Sequence, residues 1–400
     1  VGLDFLTAKK DMTNSRFHHL VTRPTKATLT TILFVVNVLV ALVTLVGAYG
    51  GYVDPGRFVI PALVSMMLPG LLIAGVLVLA VDLFVKRRYA WIPVVAWVIS
   101  IPSLLDYSPL NIGSSSLTPE EKSRSFTFLT YNVLHFWDFR GNVPDLESNA
   151  TIDYILETDA DIVSLQEVEF IKSWPLWRIT PEQVRALDAR YPYRVVNVNN
   201  QLTVLSKYPF EYENIPIPQP MDVRMALFKF NIMGHTVRLF NVHLESIGLS
   251  MADKELYQSL FEKAPGSERQ WTKELKDVKH QLIDKLSIAF NKRADQARFI
   301  RKTIDSIGGD FIVAGDFNDI QGCYAVRTIK GDDMHDAYAQ NAFGPTITYH
   351  GNRFYFRIDH VLYGGDMEAV DIERGDVPSS DHYPLLTTFV FDEPPSHTDK

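Results

Sequence analysis

The 400-residue chain has one cysteine, Cys323, so no internal disulfide can staple it, and the redox compartment stays open. It has no internal repeat and no low-complexity tract, which excludes solenoid and linker-dominated architectures. Charge is scarce at one end. Within Ala27 to Leu110 only seven of 84 residues are charged, and uncharged runs of 27 (Ala27 to Val53), 24 (Phe58 to Val81) and 17 (Tyr89 to Leu105) residues follow one another. That scarcity excludes a purely soluble protein. A bilayer core about 30 Å thick needs roughly 20 apolar residues, so the first two runs span and the third is marginal.

We read residues 27–110 as a three-helix membrane anchor behind a cytoplasmic tail, residues 1–26, whose apolar stretches are too short for a cleaved signal. Lys9, Lys10, Arg16, Arg23 and Lys26 precede the first span and Lys86, Arg87 and Arg88 precede the third, whereas the first connecting loop carries only Arg57. Those basic stretches belong in the cytoplasm, which sends everything after an odd number of spans to the extracytoplasmic side. The other reading of Tyr89 to Leu105, with Pro93 and Pro102, is a re-entrant segment, and it would return the C-terminal part to the cytoplasm. Polar residues in the spans are few, Asn37, Asp82 and Asp106, so an anchor is expected rather than a transport path.

Net charge is −8 over the whole chain; the first 110 residues hold nine basic and five acidic side chains, leaving 30 basic and 42 acidic in the rest. Residues 111–125, NIGSSSLTPEEKSRS, read as a linker, and residues 393–400 as a tail. Between them, residues 126–392 read as one catalytic domain. Its apolar runs are short and each closes on polar residues. FTFLTYN closes on Asn132, DIVSLQE on Gln166 and Glu167, VRLFNVHLES on Asn241, His243 and Glu245, and DFIVAGDFND on Asp316, Asn318 and Asp319. Runs of this length, rich in Val, Ile, Phe and Leu, are expected to be buried strands. Helices are expected over Thr151 to Glu157 and Ala294 to Ile307. FRIDHVLYG around Asp359 and SSDHYPLL around Asp381 and His382 complete the set.

Singly, each piece is weak, because Asp and Asn favour turns through their own side-chain hydrogen bonds. Gathered at strand ends, they would crowd several acids into one buried spot. Such crowding costs on the order of several kcal/mol through repulsion and desolvation, so it signals a bound cation. In these motifs and in their order, TYN, LQE, NVHL, GDFN, RIDHV and SDH, the chain from Phe126 to Phe391 resembles the endonuclease/exonuclease/phosphatase superfamily with its deoxyribonuclease-I-like fold. The resemblance implies a four-layer α/β/β/α sandwich, two packed mixed sheets flanked by helices, and a metal-dependent phosphoester hydrolase.

It also implies roles. Glu167 would be the principal ligand of Mg²⁺ (or Mn²⁺), with Asn132 and Asp381 completing or orienting the shell. Asp316 would orient or deprotonate the attacking water, and Asn318 would donate to a phosphate oxygen. His243 and His382 would hydrogen-bond the phosphoryl oxygens, Asp359 would fix the His382 tautomer, and Asn241 would contribute to substrate binding. Glu245 and Asp319 fall outside this core set.

A stretch of about 45 residues between Glu245 and Arg293 departs from the common pattern. Trp271, Leu275, Val278, Leu282 and Ala289 recur at helical steps, so Glu268 to Asn291 is expected to be an amphipathic helix, either packed on the sandwich or facing the membrane as a lid. Trp174 and Trp177 pose the same choice. A lipid head group or other small phosphoester is the expected substrate; a nuclease is the alternative, disfavoured by the acidic domain and its lack of a basic cluster. No protein partner is expected.

Overall fold

The computed structural model describes residues 26–113, 117–137, 148–168, 179–198, 201–248, 268–351 and 355–392. Lys9, Lys10, Arg16, Arg23, Trp174 and Trp177 lie outside them, as do the side chains of Trp271, Leu275 and Val278.

Three helical stretches are long and apolar enough to cross a membrane: Lys26–Tyr52, Leu68–Val85 and Arg87–Tyr107. They contain α1 (Lys26–Tyr49), α3 (Leu68–Val85) and α4 (Trp91–Tyr107). The second uncharged run is shorter as a span than expected, because its start forms a separate helix, α2 (Ile60–Met66). Pro69, which has no N–H to offer the preceding turn, suits the first turn of α3 and separates the two helices. The buried pair in this region is Asn37 with Asp82, whose Nδ2 and Oδ1 lie 2.9 Å apart.

Contacts divide the chain into two units, Val1–Leu45 with Pro69–Ile99, and Val46–Leu68 with Ser100–Lys400. The second unit therefore joins the sandwich to the segment connecting the first two spans. Gly51 shows how closely: a Cβ there would come within 1.9 Å of the Gly322 carbonyl oxygen. Arg298 Nη1 reaches Asp54 Oδ2 at 2.8 Å, and the Arg327 guanidinium lies 4.4 Å over the Tyr52 ring.

The expected linker is seated on the same unit. Asn111 donates to the carbonyls of Ala339 and Ala342, both at 3.0 Å. A short helix, α5 (Pro119–Ser123), is closed by a capping box between Thr118 and Glu121.

Two six-stranded mixed sheets form the sandwich. Their strands are β1 (Ser125–Asn132), β2 (Ile162–Gln166), β3 (Tyr193–Val198), β4 (Leu202–Ser206), β5 (Phe210–Glu213), β6 (Arg224–Ile232), β7 (His235–His243), β8 (Asp310–Asp316), β9 (His335–Asp336), β10 (Asp359–Gly364), β11 (Met367–Arg374) and β12 (Leu385–Phe391). Their orders are β11-β12-β1-β2-β4-β3 and β5-β6-β7-β8-β10-β9. Each sheet has a central parallel pair, β1 with β2 and β7 with β8.

Alternation along the strands builds the layers. Phe126 and Phe128 of β1 join Phe228 and Phe230 of β6 in the inter-sheet core. Leu129 and Tyr131 turn the other way, toward Ile152 and Ile155 of α6 (Ala150–Thr158) and Leu187 of α7 (Pro181–Arg190). Met225 and Leu227 pack outward with Ala297, Ile300 and Ile304 of α8 (Glu268–Ile307) and Val326 of α9 (Tyr324–Lys330). The helix expected over Glu268 to Asn291 and the one expected from Ala294 are thus a single helix. No Gly or Pro interrupts that stretch, and it ends only at Gly308 and Gly309, both with positive φ.

Candidate active site

Strand register brings the polar residues to one edge. Asn132 at the end of β1 pairs with Gln166 at the end of β2. In the facing sheet His243 at the end of β7 pairs with Asp316 at the end of β8, which in turn lies opposite Asp359 at the start of β10. Just past two of these ends the backbone turns left-handed at non-glycine residues, Glu167 (φ 59) and Asn318 (φ 50). That conformation is uncommon for such residues. Both side chains line a cavity of ≈ 780 Å³ that also receives His243, Asp316, Asp381 and His382.

Hydrogen bonds connect the two sheets within this site. Asn132 Nδ2 donates to Glu167 Oε1 at 3.2 Å and to Asp316 Oδ2 at 3.1 Å. The Asn318 backbone N–H donates to Asp316 Oδ1 at 2.8 Å. His382 pairs through Nδ1 with Asp359 Oδ2 at 2.8 Å, while its Nε2 lies 3.6 Å from Asp316 Oδ2. His243 Nε2 lies 3.6 Å from Asp316 Oδ2 and 3.8 Å from Glu167 Oε1. Arg224 Nη1 approaches His243 Nδ1 at 3.2 Å. A guanidinium can only donate, so that ring nitrogen accepts and the proton sits on Nε2.

Protonation follows from burial and neighbours. Burial, despite the pull of Glu167, lowers His243 to about 4, so it is a neutral Nε2–H donor at pH 7. Burial also lowers His382, but Asp359 and Asp316 outweigh it and raise the ring to about 10. It is therefore an imidazolium with Nε2–H available. Burial raises Asp316 to about 7 against the opposing charge of His382, which poises it as a proton acceptor near neutral pH. Burial works against the Glu167 carboxylate too, yet the neighbouring imidazoles and the Asn132 amide hold it below its usual range.

These residues fit a divalent cation. A carboxylate offers about four lone-pair positions. Among the described residues Glu167 accepts one side-chain hydrogen bond, from Asn132, with the His135 and His243 ring nitrogens farther away at 3.7 and 3.8 Å. Its remaining capacity faces the cavity, as does Asp381. Oxygen donors with open positions suit Mg²⁺ or Mn²⁺. Asp316, Asp359 and His382 also have ligand-capable atoms within 4.8 Å of one another, although Asp359 and His382 already pair.

Asn241 is not brought to the cavity. It is fully buried, accepting from Gln166 Nε2 at 2.8 Å and donating to the carbonyls of Leu165 and Thr203 at 3.1 and 3.3 Å. It ties one sheet to the other. Asn318 lines the cavity with one amide hydrogen already given to the Leu244 carbonyl at 3.1 Å. Glu245 is held by Lys292 at 2.7 Å and Asp319 by Arg293 at 3.3 Å. Sequence reasoning missed Arg224, His135 and, from the inter-span segment, Leu63, Met66 and Met67, all of which line the cavity. Only the β6–β7 pairing, with Arg224 opposite His243, reveals the first. No local signal marks the last three.

Residues 129–382 match the family model described as Endonuclease/Exonuclease/phosphatase family. The chain belongs to this family. It is a phosphoester hydrolase, with the two mixed sheets and flanking helices of that fold, and its family's enzymes depend on divalent metal. Residues 30–107 match a second model, a Domain of unknown function (DUF8431). No curated protein matches the chain. Similar solved structures include an endonuclease/exonuclease/phosphatase from Beutenbergia cavernae, at 19% identity and TM-score 0.45, covering 68% of this chain and 72% of that one. Another is D. rerio TDP2 complexed with single-strand DNA product, at 16% identity and TM-score 0.41, covering 66% and 98%. A third is ANGEL2, a 2′,3′-cyclic phosphatase, at 13% identity and TM-score 0.42, covering 68% and 96%.

Proposed function

We propose that the chain is a membrane-anchored hydrolase in which water attacks phosphorus in line, acting on a lipid head group or another small phosphoester at the extracytoplasmic face. The observation that carries this reading is the convergence of Glu167, Asp316, His243 and His382 from both sheets on one cavity, with Asn132 and Asp359 hydrogen-bonded to them. Asp316 takes the proton of the attacking water, and the Asn318 N–H fixes the carboxylate for that task. His382, oriented by Asp359, and His243, oriented by Arg224, present Nε2–H donors to the phosphoryl oxygens, where negative charge develops as the ester P–O bond breaks. Glu167, with Asn132 and Asp381, would hold Mg²⁺ or Mn²⁺, which supplies Lewis-acid stabilisation of that charge.

The test offers mixed phospholipid vesicles and plasmid DNA side by side to the full chain in Mg²⁺, with Asp316→Ala as the blank. Head-group or phosphate release without nicking is expected; nicking without lipid turnover would replace this reading with a nuclease. The orientation rests on the basic residues around the spans and is checked separately. A reporter fused after Lys400 should be active only outside the cytoplasm, and activity only inside would reverse the topology.

A further inference from the structure

The phosphoester chemistry occupies only part of the ≈ 780 Å³ cavity, a size that would bury most of a drug-sized ligand, whose pockets run to about 300–1,000 Å³. The rest is apolar. Leu63 and Met66 of α2 form one hydrophobic cluster with Leu282 and Leu286 of α8 and with Phe356 and Ile358, and these residues line the same cavity as Glu167 and His382.

The origin of this wall in the chain identifies what it faces. Met67 immediately precedes Leu68, the first residue of a helix apolar and long enough to span a membrane, so Met66 and Leu63 lie two and five residues before that helix in the chain. Exposed hydrophobics continue along the segment at Phe58, Ile60 and Met67. Yet the wall is fixed to the catalytic unit by the Gly51–Gly322 backbone approach and the Asp54–Arg298 ion pair. Charge argues against a polynucleotide. Among the described lining residues the Arg and Lys side chains are Arg224 and Arg293, which approach His243 and Asp319. Two cations, one of them paired with Asp319, make no extended basic track for successive phosphates, which a strand-binding groove requires.

We propose that α2 is the hydrocarbon-binding wall of the active site, so that the enzyme takes an amphiphilic phosphoester whose phosphate meets the Asp316 edge while its alkyl or acyl chain lies on Leu63 and Met66. Unbranched methionine, adaptable in shape, suits a flexible chain. This inference rests on the phosphoester reading above and adds the part of the substrate beyond the phosphate.

The experiment uses the full chain held in amphipol, with alkyl phosphates and alkylphosphocholines of four, eight and twelve carbons kept below their critical micelle concentrations. For the wild type, kcat/KM should rise about tenfold or more from the shortest to the longest chain, given the favourable burial of each methylene. In the Leu63→Gln/Met66→Gln double variant that ratio should collapse toward one, and Met66→Leu should restore it when paired with native Leu63. Turnover that is sensitive to Asp316→Ala but indifferent to chain length would overturn the inference and leave the phosphoester reading standing. So would an unchanged ratio in the double variant, or plasmid nicking faster than turnover of any alkyl compound. Absence of Asp316-dependent turnover of every compound would overturn both. Should the double variant not fold, the single Met66→Gln variant decides: its chain-length ratio should fall well below that of wild type, and an unchanged ratio would overturn the inference.

Discussion

Two buried charge clusters meet the short stretch from Arg357 to His360, and they are built on opposite plans. In one, Arg357 grips Asp336 fork to fork, Nη1 to Oδ1 at 3.0 Å and Nη2 to Oδ2 at 2.8 Å. Asp336 also caps α10 (Ala337–Asn341) by accepting from the Tyr338 N–H at 3.0 Å. Burial pushes its carboxyl up, but Arg357 outweighs burial and holds it below the usual range. The other cluster has carboxylates in excess. Asp316 meets two imidazole nitrogens only at 3.6 Å, Glu167 has capacity to spare, and both border the cavity. A structural cluster closes on itself, whereas this one is balanced only when something enters.

The sharpest way to break the comparison is at Asp316. Asp316→Ala should lower kcat by about 10³-fold or more, with the loss of the proton acceptor, and leave thermal unfolding of the protein in detergent little changed or improved, since an under-compensated buried acid is removed. Arg357→Met should do the reverse. It should cost about 3–5 kcal/mol of stability by stranding the Asp336 charge, with kcat retained below the melting temperature. Acid sharpens this contrast. A carboxyl held below its ordinary value contributes stability that is present above the unfolded-state pKa and lost as pH falls through the folded one. The stability gap between wild type and Arg357→Met should therefore narrow as pH falls and close only below the folded-state value of Asp336, which lies under the ordinary carboxyl value of about 4. Asp359→Asn should lower kcat by about 10²-fold, because His382 loses its orienting carboxylate. The smallest effect is expected at Asn241. Asn241→Ala should cost about 1–3 kcal/mol by removing its buried hydrogen bonds to Gln166 and to the Leu165 and Thr203 carbonyls, with KM unchanged; a raised KM would return it to the substrate site.

Much of the site was legible because strands bring their ends to fixed places. Asn132, Glu167, His243, Asp316, Asp359 and His382 each close or open an apolar run, and pairing then aligns them. Long-range choices were not legible. Asn241 and His243 are two residues apart on β7 yet serve different ends, since one ties the sheets at Gln166 and the other borders the cavity. From Phe58 onward the inter-span segment belongs to the second uncharged run, and nothing local shows that Gly51 meets Gly322. The helix expected in two pieces is one because NKR at residues 291 to 293 and its flanks carry no helix-breaking residue, so polarity alone did not end it.

On this reading a divalent cation completes the Glu167–Asp316 cluster and none is needed at Asp336–Arg357. Mn²⁺ binding to the full chain, followed by electron paramagnetic resonance, tests it most directly. Wild type and Arg357→Met should bind the ion alike, and Glu167→Gln should bind it at least tenfold more weakly. Equal binding by all three, or binding lost in Arg357→Met and kept in Glu167→Gln, would contradict the claim.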